Sequence, residues 1–157
     1  MGCNPSPVIH YFAYGSNMNS DRVSERGLGT LGLCGAVLEG YRLAFNKASG
    51  DSCTIGHANV EYDTENEVEG VLYELSDSSE ILKMDPFEKA PVNYGREALE
   101  VRIPERKVWA WIYIANPAVK REGLAPEKWY KEHLLLGKPY LSNRYYNFLK
   151  KIEVIDN

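Results

Sequence analysis

The sequence predicts an α+β fold, because its strand-like segments precede residue 116 and its longer helical segments follow it. Runs that are apolar, or that alternate between apolar and polar residues, predict strands at 8–14, 33–45, 53–62, 68–75, 98–103 and 107–115. Amphipathic helical patterns follow at 127–135 and 141–152. A parallel β/α fold would instead alternate strands and helices along the whole chain.

Length and composition indicate one ordinary globular domain. The chain has 157 residues, of which 44% are hydrophobic and 25% charged, and its net charge is −4. We expect a single domain at 8–157 after a flexible tail at 1–7. No apolar run approaches a membrane span, and no basic stripe is present that would follow a phosphate backbone. We therefore predict neither a membrane nor a nucleic-acid partner.

The cysteines favour a reducing compartment. Cys3, Cys34 and Cys53 form no C-x-x-C pair and leave one cysteine over under any pairing. No secretory signal is present, so we expect a cytoplasmic protein. Residues 1–6 match the loose pattern for N-myristoylation of Gly2, but no polybasic segment follows to supply a second membrane signal. We interpret this match as coincidence.

The first strand ends at the turn sequence Gly15-Ser16-Asn17, and the polar segment 18–26 after it can form a helix that Gly27 ends. A strand ending in this way leaves backbone N–H groups without sheet partners, and the first N–H groups of a following helix point the same way. Such a turn can bind a carboxylate or a developing oxyanion. The alternative is an ordinary corner in which Asn17 or Ser20 caps the helix.

The middle of the chain predicts paired strands. Segment 33–45 reads as a strand with a kink or bulge at Gly40. The polar residues 63–66 predict a hairpin turn between the strands on either side of them. Two later strands are joined at 104–106, and the second of them is apolar enough at 109–114 to lie centrally in a sheet.

A short helix is predicted between the two sheet regions. Asp77 and Glu80 have the spacing of a capping box and mark its start. Pro86 cannot occupy a helix interior, so we expect the helix to end before it, with Phe87 and Glu88 just beyond the C-terminus.

Glu88 is the carboxylate that stands out chemically. Its sequence neighbours are mostly apolar, which predicts partial removal from water. The nearby helix C-terminus also disfavours a negative charge. Both effects would raise its pKa toward the range useful for acid–base catalysis. The alternative is an ordinary solvated glutamate.

Other common site chemistries are not indicated. His10, His57 and His133 share no metal-ligand spacing with one another or with a cysteine. The phosphate-binding patterns G-x-x-x-x-G-K-[ST] and G-x-G-x-x-G do not occur, and Ser16 is not in a G-x-S-x-G nucleophile motif. We predict no metal and no cofactor.

Four segments occur in an order and spacing that resembles a known family. They are FAYGSNM at 12–18, AVLEGYRLAF at 36–45, EVEGVLY at 67–73 and MDPFE at 84–88. The sequence resembles the γ-glutamylcyclotransferase-like family, which includes γ-glutamylcyclotransferase, γ-glutamylamine cyclotransferase and AIG2-like proteins. The resemblance extends from Ile9 to Ile152.

The resemblance implies a small mixed β-barrel with short helices packed around it. It also implies an enzyme that releases 5-oxoproline from a γ-glutamyl amino acid or amine, without a cofactor, by attack of the substrate's own amine. Glu88 matches the glutamate that serves as general acid/base. The positions implied to bind substrate are Tyr14, Gly15, Ser16, Asn17, Tyr94, Tyr113 and Tyr130.

One position departs from the family pattern. Lys89 stands where the family usually has glycine after the catalytic glutamate. If this position requires a positive φ, lysine adopts it at a cost, and its ammonium would lower the pKa of Glu88. A non-catalytic module that binds a small acid on the same fold is therefore the alternative to an enzyme.

Overall fold

The computed structural model describes residues 6–155. Within them the strands are β1 (His10–Ala13), β2 (Thr30–Ala48), β3 (Gly56–Leu75), β4 (Tyr94–Ile103) and β5 (Arg106–Ala115). The α-helices are α1 (Ser20–Glu25), α2 (Asp85–Glu88), α3 (Lys128–Leu135) and α4 (Asn143–Lys150), and 3₁₀ turns lie at Ser16–Met18, Ser78–Lys83, Pro117–Val119 and Lys138–Tyr140.

The strands close into a barrel in the order β1-β3-β2-β4-β5. Neighbouring strands are antiparallel except at the closure, where β1 and β5 run parallel with Tyr11 opposite Trp111. The short helices lie outside the barrel. The predicted α+β class and the mixed barrel implied by the family resemblance are confirmed.

Strands β2 and β3 form one long curved hairpin. The predicted bulge at Gly40 is confirmed, since this residue has φ +82° and the register shifts between Glu39 and Tyr41. The predicted hairpin turn at 63–66 is wrong, because β3 continues through this segment as a wide bulge opposite Gly40. The chain reverses instead at 49–55, and residues on both sides of 63–66 pair with β2.

The barrel interior is filled mainly by aliphatic and aromatic side chains. Phe12, Leu38, Val68 and Ile112 are at most 1% exposed and come from four different strand segments. Tyr11 packs within the same core, with its ring centroid 5.9 Å from those of both Tyr73 and Tyr113. Burial of side chains of this kind stabilises the fold by about 1.5–3 kcal/mol each. This rigid core fixes the end of β1, where the candidate site lies.

Two short helices flank that end of β1. Helix α1 is capped by Asn19, whose side chain accepts a hydrogen bond from the Asp21 N–H at 3.1 Å, and it ends before Gly27 at φ +81°. The N-cap is therefore neither of the two residues considered from the sequence. Helix α2 contains a single turn, and Glu88 is its last residue.

The helix predicted to start at Asp77 ends before Pro86 as expected, and it is the 3₁₀ helix Ser78–Lys83, but the expectation that Phe87 and Glu88 lie outside a helix is wrong. Pro86 lies in the first turn of α2. Backbone N–H groups in a first turn have no acceptor within the helix, so a proline costs no hydrogen bond there and can begin a new helix. The predicted N-cap Asp77 is confirmed, because it accepts from the Ser79 N–H at 3.0 Å. The capping box is not formed, since the Glu80 carboxylate accepts from the Gly29 N–H at 2.9 Å instead.

The helices after the sheet lie close to their predicted bounds. Among the described residues, no helix is long and apolar enough to cross a membrane. The predicted flexible tail at 1–7 and the acylation pattern at Gly2 lie, apart from Ser6 and Pro7, outside the described residues.

Candidate active site

A small inner cavity of about 40 Å³ lies where β1 runs into the 3₁₀ turn. Its lining contains every site residue expected from the sequence, which are Tyr14, Gly15, Ser16, Asn17, Glu88, Tyr94, Tyr113 and Tyr130. Tyr11, Phe12, Ala13 and Ala58 complete the wall. Residues separated by more than 100 positions in the sequence therefore meet at one end of the barrel.

Glu88 faces this cavity from the end of α2. Its side chain is 17% exposed, and its Oε1 accepts a hydrogen bond from Asn17 Nδ2 at 3.2 Å. Arg26 Nη1 lies 3.9 Å from the same oxygen. The carboxylate is thus held toward the turn that follows β1 and does not extend into bulk solvent.

The environment of Glu88 raises its pKa above that of an ordinary glutamate. Burial is the main cause, because it removes the charged form from water. The nearby charges of Arg26, Arg22 and Lys47, and the hydrogen bond from Asn17, oppose this increase. A carboxyl group whose pKa is raised in this way is a better proton acceptor than an ordinary glutamate.

Asn17 is the polar centre of the cavity and is only 4% exposed. Its Nδ2 donates to the Tyr11 hydroxyl at 2.8 Å as well as to Glu88, and its Oδ1 accepts from Arg26 Nη1 at 3.1 Å. Its backbone oxygen accepts from the Tyr73 hydroxyl at 2.7 Å. These bonds fix the amide, which in turn orients the Glu88 carboxylate.

The turn before Asn17 approaches its neighbours closely. A Cβ atom at Gly15 would lie 3.1 Å from the Tyr130 hydroxyl and 3.2 Å from the Ala58 Cβ, so a side chain there would crowd the cavity wall. Met18 and Asn19 donate their backbone N–H groups within the turn. Among the described residues, the N–H groups of Gly15 and Asn17 donate to no protein acceptor. They remain available to a ligand.

Two of the cavity tyrosines bind the backbone of Ala58. The register of β2 and β3 shifts between Ala44 and Lys47, so Ala58 has no partner in the β2 ladder. The Tyr94 hydroxyl donates to the Ala58 oxygen at 2.8 Å, and the Tyr130 hydroxyl accepts from the Ala58 N–H at 3.0 Å. Burial raises the pKa of Tyr130 to about 12, which keeps its hydroxyl protonated at neutral pH.

Tyr14 and Tyr113 connect the end of β1 and β5 to α2. The Tyr14 hydroxyl donates a short hydrogen bond to the backbone oxygen of Tyr113, and the Tyr113 hydroxyl donates to Asp85 Oδ1 at 2.6 Å. Arg96 donates to both oxygens of Asp85, at 2.9 and 3.0 Å. Burial works against the charge of Asp85, but these hydrogen bonds outweigh it and lower the pKa of Asp85. The first residue of α2 is thereby fixed to the barrel.

Lys89 has φ +50° and ψ +46°, in the left-handed region. The expectation that this position requires a positive φ is confirmed. The backbone turns here because Lys89 follows the last residue of α2, and its N–H donates to the Pro86 oxygen at 3.2 Å. The cations that lower the pKa of Glu88 most are Arg26, Arg22 and Lys47.

An outer cleft of about 170 Å³ adjoins the inner cavity. The two share Ser16, Glu88, Tyr94 and Tyr130. The remaining lining residues of the outer cleft are Arg22, Arg26, Lys47, His57, Phe87, Lys89, Asn93 and Trp129. The inner cavity therefore meets the surface through a cleft rich in cationic side chains. No group of three or more potential metal-ligating side chains lies together in residues 6–155.

The sequence model of the family described as "Gamma-glutamyl cyclotransferase, AIG2-like" matches residues 11–132, which is most of the chain. The chain belongs to this family. Among curated protein sequences, none matches this chain.

Solved structures share this fold across nearly the whole chain. A protein described as "Gamma-glutamyl cyclotransferase" is 26% identical with a TM-score of 0.80, over 95% of this chain and 90% of that one. An uncharacterized protein from Homo sapiens is 27% identical with a TM-score of 0.81, over 97% and 92%. YkqA from Bacillus subtilis, at 24% identity and TM-score 0.78 over 96% of this chain and 57% of its own, shows the likeness of the fold alone.

Two of the four family segments, FAYGSNM and MDPFE, contribute residues to the inner cavity, whereas the outer cleft contains residues that were not predicted from the sequence. Arg22 and Arg26 are four residues apart on α1, next to the family's YGSN turn, and that spacing was a usable signal. Lys47 gave no comparable signal, because its position depends on the bulge in β2. Tyr11 was missed because it reads as a core residue of β1.

Proposed function

We propose that this protein is a γ-glutamylcyclotransferase-type enzyme that converts a γ-glutamyl amide into 5-oxoproline and a free amine. The observation that carries this proposal is the largely buried Glu88 carboxyl group, with a raised pKa, at the same cavity as the backbone N–H groups of Gly15 and Asn17, which have no acceptor within residues 6–155. A proton acceptor and oxyanion donors at one cavity are the two requirements of acyl transfer by an amine.

In the first step, ionised Glu88 accepts a proton from the α-ammonium of the substrate. The amine nitrogen then attacks the γ-carbonyl carbon, and a C–N bond closes a five-membered ring. The carbonyl oxygen becomes an oxyanion, which the N–H groups of Gly15 and Asn17 stabilise. Donors of this kind contribute about 3–4 kcal/mol each in well-studied enzymes.

In the second step, protonated Glu88 donates its proton to the departing nitrogen. The original amide C–N bond breaks, the carbonyl re-forms, and the products are 5-oxoproline and the amine. Glu88 returns to its ionised form, and the second proton that the ring nitrogen still carries passes through this carboxylate to the released amine, which leaves as an ammonium. The raised pKa of Glu88 brings it closer to that of an amine, which favours proton transfer in both directions.

The small inner cavity suits a reaction within one molecule. Nucleophile and electrophile belong to the same γ-glutamyl group, so the protein mainly has to hold its folded conformation. Asn17, fixed by hydrogen bonds to Tyr11, Arg26 and Glu88, keeps the proton acceptor in place. The proposed chemistry uses neither a metal nor a cofactor.

A non-catalytic module that binds a small acid is the second candidate. It is favoured by the contacts of Glu88 with Asn17 and Arg26, which also suit a carboxylate with a structural role. The two candidates differ in whether substrate is consumed.

The test is to incubate the protein with γ-glutamyl amino acids, γ-glutamyl amines and γ-glutamyl-ε-lysine, and to measure 5-oxoproline. We expect turnover of at least one compound, and little or none with Glu88→Gln. Glu100→Gln is the matched control, because Glu100 is exposed on β4 and lines neither the cavity nor the cleft. Binding without any 5-oxoproline would support the binding module instead.

A further inference from the structure

Lys47 is a buried lysine without an anionic partner. Its side chain lines the outer cleft, yet the residue is only 6% exposed. The described residues place no carboxylate within 4 Å of its ammonium, and the ring contact found for it is with Tyr94, whose centroid lies 5.8 Å from Nζ. Lysine is rarely buried without a partner, because loss of hydration disfavours its charge.

The bulge in β2 explains how Lys47 reaches this position. The register shift between Ala44 and Lys47 places two residues of β2 opposite one residue of β3. A bulge of this type redirects the side chains that follow it. Lys47 lies opposite His57, and both side chains line the outer cleft.

Arg22 provides a second unused donor in the same cleft. Its Nε is buried and has no hydrogen-bond partner among the described residues. Arg26, one helical turn further along α1, is different, because it donates to Asn17 Oδ1 and lies near Glu88. The cleft therefore contains the guanidinium of Arg26, which is hydrogen-bonded, and that of Arg22, whose Nε has no partner among the described residues.

The charges of the cleft are strongly unbalanced. Its lining includes the cations Arg22, Arg26, Lys47 and Lys89, whereas Glu88 is its one carboxylate. Burial lowers the pKa of Lys47, and the neighbouring Lys89 lowers it further, while Glu88 raises it. Burial and the charge of Lys47 also lower the pKa of His57, which leaves that ring neutral at neutral pH. A bound anion would relieve this imbalance.

The reaction geometry indicates where such an anion would lie. Glu88 lines both the inner cavity and the outer cleft, and in the proposed reaction it must reach both the attacking and the departing nitrogen. In the proposed reaction the γ-glutamyl group lies at the inner cavity, next to the N–H groups of Gly15 and Asn17, so the departing amine extends toward the outer cleft. In a γ-glutamyl α-amino acid, the carboxylate is attached to the carbon next to the departing nitrogen.

We propose that Lys47 and Arg22 form a subsite for a carboxylate carried by the departing amine, and that they set the preference of the enzyme for acidic leaving groups. This inference rests on the proposed cyclotransferase function. A γ-glutamyl alkylamine has no group for this subsite. In γ-glutamyl-ε-lysine the carboxylate is at the far end of a flexible chain, next to an ammonium that the cationic cleft would repel.

The test compares γ-glutamyl-alanine with γ-glutamyl-alaninamide, which differ only by replacement of the carboxylate with a neutral amide. We expect wild-type kcat/KM to favour the acid by about 10- to 100-fold, the effect of one charge-assisted hydrogen bond. Lys47→Met should reduce this ratio about 10-fold, and Lys47→Arg should retain most of it. Lys107→Met, which removes an exposed lysine from β5 outside the cleft, should leave the ratio unchanged.

A change in the selectivity ratio separates the subsite from a purely structural role, because a folding defect affects both substrates alike. Arg22→Met is a second variant if Lys47→Met is poorly folded, and it should lower the ratio in the same direction. Equal turnover of both substrates by the wild type, or an unchanged ratio in Lys47→Met and Arg22→Met, would overturn the subsite and leave the proposed function standing.

Failure of the proposed function has a different signature, which is the absence of 5-oxoproline from every γ-glutamyl compound. In that case the same two compounds are compared by calorimetric binding to the wild type and to Lys47→Met. Tighter binding of the acid that disappears in Lys47→Met would support the subsite. Equal affinities would overturn it.

Discussion

The inner cavity and the outer cleft share part of their lining but differ in how their polar groups are paired. In the inner cavity, the Asn17 amide and the hydroxyls of Tyr94 and Tyr113 all have protein partners. In the outer cleft, residues 6–155 provide no carboxylate within 4 Å of the Lys47 ammonium and no hydrogen-bond partner for the Nε of Arg22. A network of satisfied bonds fixes geometry, whereas unpaired donors indicate a place where a ligand completes the structure.

This difference indicates that the two regions have different roles in the proposed reaction. The inner cavity holds the group that is common to all candidate substrates, and it is preorganised for one reaction. The outer cleft meets the part of the substrate that varies. Changes to the inner cavity should therefore affect every substrate, and changes to the outer cleft should affect selectivity.

The largest expected effect is that of Glu88→Gln. Glutamine preserves the size of the side chain but cannot accept the ammonium proton, and loss of acid–base catalysis lowers rates by about 10²–10⁴-fold. Turnover of every γ-glutamyl substrate should fall by this amount, while ligand-induced thermal stabilisation persists. Turnover within a few-fold of the wild type would mean that Glu88 is not the proton acceptor and that the division between the two regions is wrong.

The next effect concerns the attachment of α2 to the barrel. Arg96→Met removes the two hydrogen bonds to Asp85 and the stacking of the guanidinium on Trp111, at 4.6 Å. We expect a loss of about 1–3 kcal/mol of stability, because both charged side chains are largely buried. We also expect a fall in kcat of about 10-fold as Glu88 loses its position. Thermal denaturation and steady-state kinetics measure the two effects.

Arg102→Met is the matched control for this variant. Arg102 pairs with Glu39 and Glu67, but its side chain is 45% exposed, and such pairs contribute about 0–1 kcal/mol. Its kcat should equal that of the wild type. If the two arginine variants lose equal stability and kcat is normal in both, the Asp85–Arg96 pair has no role in positioning Glu88.

The sequence predicted the inner cavity much better than the outer cleft. The YGSN turn and the DPFE segment are short motifs whose role depends on local backbone geometry, and they surround the cavity as expected. The position of Lys47 in the cleft could not be predicted from the sequence, because a register shift between two long strands determines the direction of its side chain. Long-range strand pairing of this kind leaves no local pattern in the residues concerned.

The error at 63–66 has the same origin. Asp63 accepts hydrogen bonds from the Glu65 N–H at 3.1 Å and from Asn66 Nδ2 at 2.7 Å, which is the side-chain chemistry of a turn. A wide bulge uses the same residues, and only the pairing of both flanks with β2 distinguishes it from a hairpin. The prediction around Pro86 failed for a similar reason, since a proline that ends one helix can also begin another, as Pro86 begins α2.

The pH dependence of activity should report the balance of charges around Glu88. Because its pKa is raised, the acidic limb of kcat/KM should lie above the ordinary glutamate value, and activity should fall as the pH decreases through it. Arg26 lowers this pKa, so Arg26→Met should move the limb to higher pH. If the acidic limb of kcat/KM does not move in Arg26→Met, that limb reports the titration of a group other than Glu88.

The same shift has a consequence for stability. A carboxyl group with a raised pKa in the folded state binds its proton more tightly there, so its stabilising contribution is present at low pH and is lost as the pH rises through that pKa. Glu88→Gln should therefore gain stability relative to the wild type as the pH increases above about 4.5, the ordinary value. Chemical denaturation of both proteins at several pH values measures this difference.

The smallest expected effect is at Lys89, which follows Glu88 in the chain and lines the outer cleft. A non-glycine residue in the left-handed region costs about 1–2 kcal/mol, and glycine removes this cost but loses about 0.5–1 kcal/mol through the entropy of the unfolded chain. Lys89→Gly should therefore stabilise the protein by about 0–1.5 kcal/mol, a rise in Tm of at most about 6 °C. Lys89→Ala keeps the backbone strain but removes the ammonium, so it separates the two properties of this residue. If backbone strain limits the rate by displacing Glu88, kcat should rise in Lys89→Gly alone. If the charge acts instead through the outer cleft, both variants should lose selectivity for acidic leaving groups to the same small extent.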